Sequence, residues 1–186
     1  MPMKINRQEL KRVLPLLVLV LGPFLVLLAT CSWLHGMPLH WLIVGADKNE
    51  AFRMFYSATN ANGEALKEGE FTDILIFAGP CVYDQVIENV KKPGEKMRGY
   101  QILFLGYAGV SKAVPTLEHL LIDQNEDEYI RYDALRALRI VDTERAEFLA
   151  KSIATGNQLN RGFIDFLQEN PREERRYLLD VLFSTE

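Results

Sequence analysis

The sequence predicts an all-α protein: an α-solenoid of about four helix pairs behind a single N-terminal transmembrane helix. Three observations carry this. Residues 13–34, VLPLLVLVLGPFLVLLATCSWL, run 22 residues without a charge. Beyond Ala46 the apolar residues recur at helical spacing almost throughout, with no long alternating strand pattern. Finally, the chain resembles itself at a shift of 33 residues, and such internal repetition marks stacked supersecondary units.

As a helix the uncharged run spans roughly 33 Å, enough for a hydrocarbon core of about 30 Å. Cleaved signal peptides have an apolar region of about 7 to 15 residues, so the length favours a retained anchor. LLATCS also resembles the bacterial lipobox, with Thr30 where Gly, Ala or Ser is usual, and this keeps Cys31 as a candidate lipidation site. Lys4, Arg7, Lys11 and Arg12 against Glu9 give the first twelve residues a net +3. Only Lys48 and Arg53 are basic in the twenty positions after the span, so residues 1–12 are expected in the cytoplasm and the body outside, in the periplasm if the protein is bacterial. Gly22 and Pro23 lie mid-span, where a kink is tolerated. Trp33 and Trp41 bracket HGMPLH, and residues 35–46 read as a segment at the membrane interface. His35 and His40 there have no Cys or carboxylate neighbour to complete a metal or haem site, and fit interfacial polar residues better. Residues 47–186 form the helical repeat domain.

The chain has 186 residues, 48% apolar and 25% charged, which fits one modest core behind the leader. With −4 overall and +3 in the leader, the remainder carries −7, which argues against nucleic-acid binding. Two cysteines, Cys31 and Cys81, make no disulfide framework and read as free thiols.

Caps mark the helices of the body. Asp47 and Glu50 form a capping box ahead of AFRMFYSA, in which Phe52, Phe55 and Thr59 share a face, and NANG stops that helix. Pro93-Gly94 reads as a turn and Gly156 as a helix stop. Ser111 precedes KAVPTLEHLLID as a cap, and Asn170 precedes Pro171 and Glu173 as the start of a last helix. TDILIFAG alone fits a buried strand as well as a helix.

The shift of 33 pairs Arg98 with Arg131, Ile102 with Leu135, Leu105 with Leu138, Lys112 with Arg145, Ala113 with Ala146 and Leu120 with Ile153. Weaker copies precede and follow, as degenerate terminal repeats do. LGYAGVSKAVPTLEHLLIDQNEDEYIRYDALRAL resembles the HEAT-like repeats found in phycobilin lyases and many bacterial adaptor proteins. Leu105, Gly106, Ala113, Val114, Pro115, Leu117, Leu120, Leu121, Asp123, Ile130, Arg131, Ala134, Ala137 and Leu138 carry the resemblance. It covers roughly residues 70–183, is strong over 98–154, and departs from the pattern in a loop about two residues longer after Asp123. The resemblance implies that Asp123 and Arg131 join hydrogen bonds linking neighbouring repeats. The signatures of ankyrin and tetratricopeptide repeats are absent.

Asp123, Asn125 and Asp127 open like a calcium loop, but Glu128 stands where Gly is needed and Ala134 where the closing Glu belongs. The carboxylates suit a turn, with Asp127 and Glu128 at the positive end of the next helix. GYAGVSK lacks Walker A spacing, and Gly109 reads as a helix stop. His119, the one histidine of the body, has no nucleophile placed beside it, and no paired-His or CxxC spacing suits zinc. Arg131, Arg136, Arg139 and Arg145 alternate with Asp133, Asp142, Glu144 and Glu147, which predicts a solvated, salt-bridged face.

No cofactor or metal is called for. The expectation is a non-enzymatic, membrane-anchored scaffold or accessory subunit that binds a protein partner, itself a membrane protein or complex. The alternative, a lyase-like enzyme or ligand binder, follows from the repeat type alone. Ala113, Val114, Leu117, Leu120 and Leu121 make one apolar stripe, and Ala146, Leu149, Ala150 and Ile153 the equivalent one. Ile122 and Phe148 lie off these stripes. With Pro115, His119 and Lys151 they either line a docking ridge or pack as inter-repeat core.

Overall fold

The computed structural model describes residues 22, 23, 26, 39–57, 68–154, 162–170 and 173–175. The protein is all-helical, with no strand among the described residues: α1 Leu39–Val44, α2 Lys48–Ser57, α3 Glu68–Ala78, α4 Tyr83–Val90, α5 Arg98–Tyr107, α6 Val114–Ile122, α7 Glu128–Val141, α8 Thr143–Ala154 and α9 Gly162–Glu169. The chain divides between Val44 and Gly45. Of the first unit, α1 carries an exposed His40 whose ring meets Trp41 edge-on at 6.5 Å. No helix among the described residues is long and apolar enough to cross a membrane. The predicted span over residues 13–34 falls outside the described residues except for Gly22, Pro23 and Val26, as do Cys31 and His35.

In the second unit α5 packs against α3, α4 and α7, and is accordingly buried on nearly every side, from Gln101 to Gly106. The same holds for α3, where TDILIFA is buried throughout; a helix buried all round carries the continuous apolar run that also suits an interior strand. On α7 the spacing Arg131, Ala134, Leu135 and Leu138 turns one face inward. Each buried leucine there contributes about 1.5 to 3 kcal/mol through area removed from water. Small residues set the approach of α5 to α7. A Cβ on Gly106 would lie 2.6 Å from the Ala137 Cα, and one on Gly99 would lie 2.5 Å from Asp133 Oδ2.

The helix ends follow local chemistry. Asp47 Oδ1 accepts from the Glu50 amide at 2.9 Å, as the capping box requires, while the buried side chains of α2 are Ala51 and Phe55. Helix α5 stops in a Schellman arrangement: Val110 N–H donates to Leu105 O at 3.0 Å, Gly109 N–H to Gly106 O at 2.8 Å, and Gly109 takes φ +62°. Ser111 does not cap α6. A 3-10 turn, Ser111–Ala113, tightens the entry instead, and Pro115 occupies the first turn of α6, where a missing amide costs nothing. Asp142 alone joins α7 to α8, donating its N–H to Leu138 O and accepting the Arg145 amide on its carboxylate at 3.0 Å. Asn170 differs from expectation. It closes α9, with N–H and Nδ2 both donating to Phe166 O, and Glu173, Glu174 and Arg175 are not helical.

Two polar clusters are enclosed. Arg98 donates Nε–H to Val90 O at 2.7 Å, at the C-terminal end of α4, and its two Nη groups grip Glu126 at 2.9 and 2.6 Å. The Arg98 and Glu126 side chains are 6% and 13% exposed, so neither charge is hydrated enough to stand alone. Around Tyr56, the phenol donates to Glu95 at 2.7 Å and accepts from Asn89 and Gln101 at 3.3 Å each. Desolvation, then the Glu95 hydrogen bond and charge, push the Tyr56 phenol up to about 12.

Arg98→Met should cost about 3 to 5 kcal/mol in urea unfolding, because it leaves Glu126 enclosed and unpaired; adding Glu126→Gln should recover part of the loss. Equal stability of wild type and Arg98→Met would contradict the assignment. The raised Tyr56 value means that its neutral form is favoured by folding, so that contribution is complete below pH 10.0 and is lost as the pH climbs towards 12. The wild-type minus Tyr56→Phe absorbance difference should show phenolate only near pH 12 in the folded protein, and a transition at pH 10 would refute the enclosure.

Candidate functional site

The outer side of α6 and α8 brings the singled-out surface residues together. Helix α6 turns Leu117, Leu120 and Leu121 inward, and α8 turns Ala146 and Ala150 inward with Leu149 and Ile153 half-buried. The two helices pack against each other. Across their seam Arg145 grips Glu118, with Nε on one carboxylate oxygen and Nη2 on the other at 3.2 Å. The Glu118 hydrogen bond, with its charge, holds the Arg145 guanidinium above its ordinary range. One turn along α8 from Arg145, the Phe148 ring lies 5.8 Å from the guanidinium carbon and is 60% exposed. One turn along α6 from Glu118, Ile122 is 48% exposed. The seam is thus a paired ion bridge with a large apolar side chain beside each partner.

Pro115 and His119 are exposed on α6, and Lys151 is exposed on α8 with Nζ 3.7 Å from Glu147. The remaining singled-out residues lie beneath or beside this face. Arg131 is buried, donates Nε–H to Leu121 O at 3.0 Å and lays its guanidinium 4.8 Å from the Phe163 ring centre. Asp123 acts locally: its Oδ1 accepts from the Asn125 N–H at 2.9 Å and from Asn125 Nδ2 at 3.3 Å. Asp127 caps α7 through the amides of Tyr129 and Ile130 at 2.9 and 3.4 Å, and Glu126 is committed to Arg98. The acidic turn is therefore a set of caps and an ion pair.

The arginines do not form the one solvated face that their interleaved charges suggested. Arg131 is in the core and Arg145 on the outer seam, while Arg136 pairs with Glu173 at 2.7 Å and, with Arg139, lines a cavity near α9. The step of five from Arg131 turns Arg136 to another side of α7, the step of three keeps Arg139 beside Arg136, and Arg145 lies on the next helix, which interleaving alone does not reveal.

Catalytic groups do not converge on the seam. The His119 side chain makes no hydrogen bond among the described residues, and no three His, Cys, Asp or Glu side chains there could hold a metal ion. Cys81 is exposed, with Sγ 3.5 Å from Ala46 O; desolvation, then the charge of Asp47, push its thiol up, away from a reactive thiolate. Compared with protein-family models, with curated proteins and with solved structures, the chain matches none.

Because Phe148 is mostly in solvent, Phe148→Asp should leave the melting temperature within a few degrees of wild type, whereas Leu117→Asp buries an unpaired carboxylate and should cost several kcal/mol. A Phe148→Asp protein that does not fold would place that ring in the inter-repeat core.

Proposed function

We propose that the protein is a non-enzymatic, membrane-anchored scaffold or accessory subunit, an α-solenoid of about four HEAT-like helix pairs that docks a protein partner at the membrane surface. The observation that carries it is the pair of exposed apolar side chains, Ile122 and Phe148, placed on successive outer helices beside a saturated ion bridge. Such a surface offers apolar contact area in which the neighbouring charges already pair with each other, as suits an interface.

Equivalences at the 33-residue shift support the repeat reading. Arg98 and Arg131 each send Nε to a carbonyl at the end of the preceding outer helix, Val90 and Leu121. Lys112 and Arg145 each reach back to an acid on that preceding helix, Asp84 at 2.5 Å and Glu118. The basic flank of residues 1–12 supports a cytoplasmic N-terminus with the repeats outside.

A photo-crosslinker at position 148 in native membranes should give one discrete protein adduct, while the same group at Tyr129, also exposed, should not. Identical adducts from both positions, or none from 148, would remove the docking role. Protease added to intact spheroplasts should digest the body; protection until the membrane is opened would reverse the orientation.

A further inference from the structure

The geometry points to a small-molecule site between α7 and α9, in a cavity of about 280 Å³ lined by Arg136, Arg139, Phe166, Asn170 and Glu173, whose ligand is a small monocarboxylate with an apolar body. This assignment stands apart from the docking face. Arg136 is already committed: its Nη2 lies 2.7 Å from Glu173 and 3.4 Å from the Tyr107 hydroxyl, and its Nη1 is 3.7 Å from Asp133. Arg139 is not. Its Nη1 donates to Asn170 O at 2.9 Å, its Nε is buried without a hydrogen-bond partner, and among the described residues no carboxylate pairs with it. A guanidinium presents a planar fork of donors that matches a carboxylate; with Nε enclosed, the Nη1 and Nη2 end of Arg139 is the edge that a ligand in the cavity would meet, and its charge has no carboxylate among the described residues.

Charge and size narrow the class. Among the described residues two guanidiniums and one carboxylate line the cavity, a sum of +1 that a monoanion neutralises and a dianion such as phosphate overshoots. Phe166 supplies an apolar wall, and its ring is held 5.2 Å from that of Tyr132. The volume lies at the small end of ligand pockets, which run from about 300 to 1,000 Å³. It excludes a pigment-sized group and admits a short or single-ring acid.

The test uses the full chain in detergent, with benzoate and hexanoate as probes and benzamide and inorganic phosphate as comparators, read by saturation-transfer NMR titration. Both carboxylates should bind saturably and the comparators should not. Arg139→Gln should weaken benzoate by about tenfold or more, as expected for losing a hydrogen bond to a charged group, while the surface change Lys91→Gln leaves it unaltered. If circular dichroism shows Arg139→Gln unfolded, Arg139→Lys decides instead, since it keeps the charge but loses the fork and should bind more weakly. No saturable binding of either carboxylate, equal binding of benzamide or phosphate, or unchanged benzoate affinity in the folded Arg139 variant would overturn the site.

Discussion

The helix pairs depend on a bond made twice, from a buried arginine Nε to a carbonyl at the end of the preceding helix. Arg98 reaches Val90 O and Arg131 reaches Leu121 O. The last four carbonyls of any helix have no partner within it, and burying such an end unsatisfied is costly. Here the donor comes from the first turn of the next long helix, so closing the end also sets the angle at which the chain returns. The guanidinium that remains must itself be answered. Glu126 does so for Arg98, and the Phe163 ring faces Arg131. Each arginine thus draws in a group from further along the chain, and the order of packing is written into the satisfaction of one cation.

Glycine and alanine make that arrangement geometrically available. Gly106 lets α5 approach the backbone of α7 at Ala137 more closely than any side chain would permit, and Gly99 leaves room for Asp133. The outer ion pairs belong to a different energetic class. Lys112 with Asp84 and Arg145 with Glu118 are largely solvated, and solvated pairs add little to stability. Their effect is on the surface: they neutralise the seam between outer helices and leave the apolar side chains as its distinguishing feature.

Much of this was legible in the residues. Self-comparison at 33 residues paired Arg98 with Arg131 and Lys112 with Arg145 without any knowledge of what they touch. The capping box at Asp47, the stop at Gly109 and the acidic N-terminus of α7 are contacts between near neighbours in sequence, so local chemistry suffices to find them. Ser111 and Asn170 were misjudged for a physical reason. Ser111 lies within a 3-10 turn that tightens the entry to α6 without a side-chain cap, and Asn170 bonds back to Phe166 O instead of forward; which of these happens depends on the turn around the residue. The cavity was not legible at all. Arg136 meets Glu173 across 37 positions, and Phe166 joins them through the packing of α9, a tertiary fact that interleaved charges along α7 conceal.

The cavity and the outer seam share a corner, and α8 packs against both α7 and α9. Arg139 lines the cavity, and its backbone carbonyl accepts the Thr143 hydroxyl at 2.8 Å at the start of α8. Between them Asp142 ends one helix and begins the next, with its N–H on Leu138 O and its carboxylate on the Arg145 amide. Arg145 in turn forms the outer ion bridge beside Phe148. Signalling from a ligand on Arg139 to the outer seam requires an element with two discrete arrangements. This corner has its backbone and side-chain groups occupied on both sides, with the helices on either side packed against one another. Such a corner fixes the separation of the cavity from the outer seam.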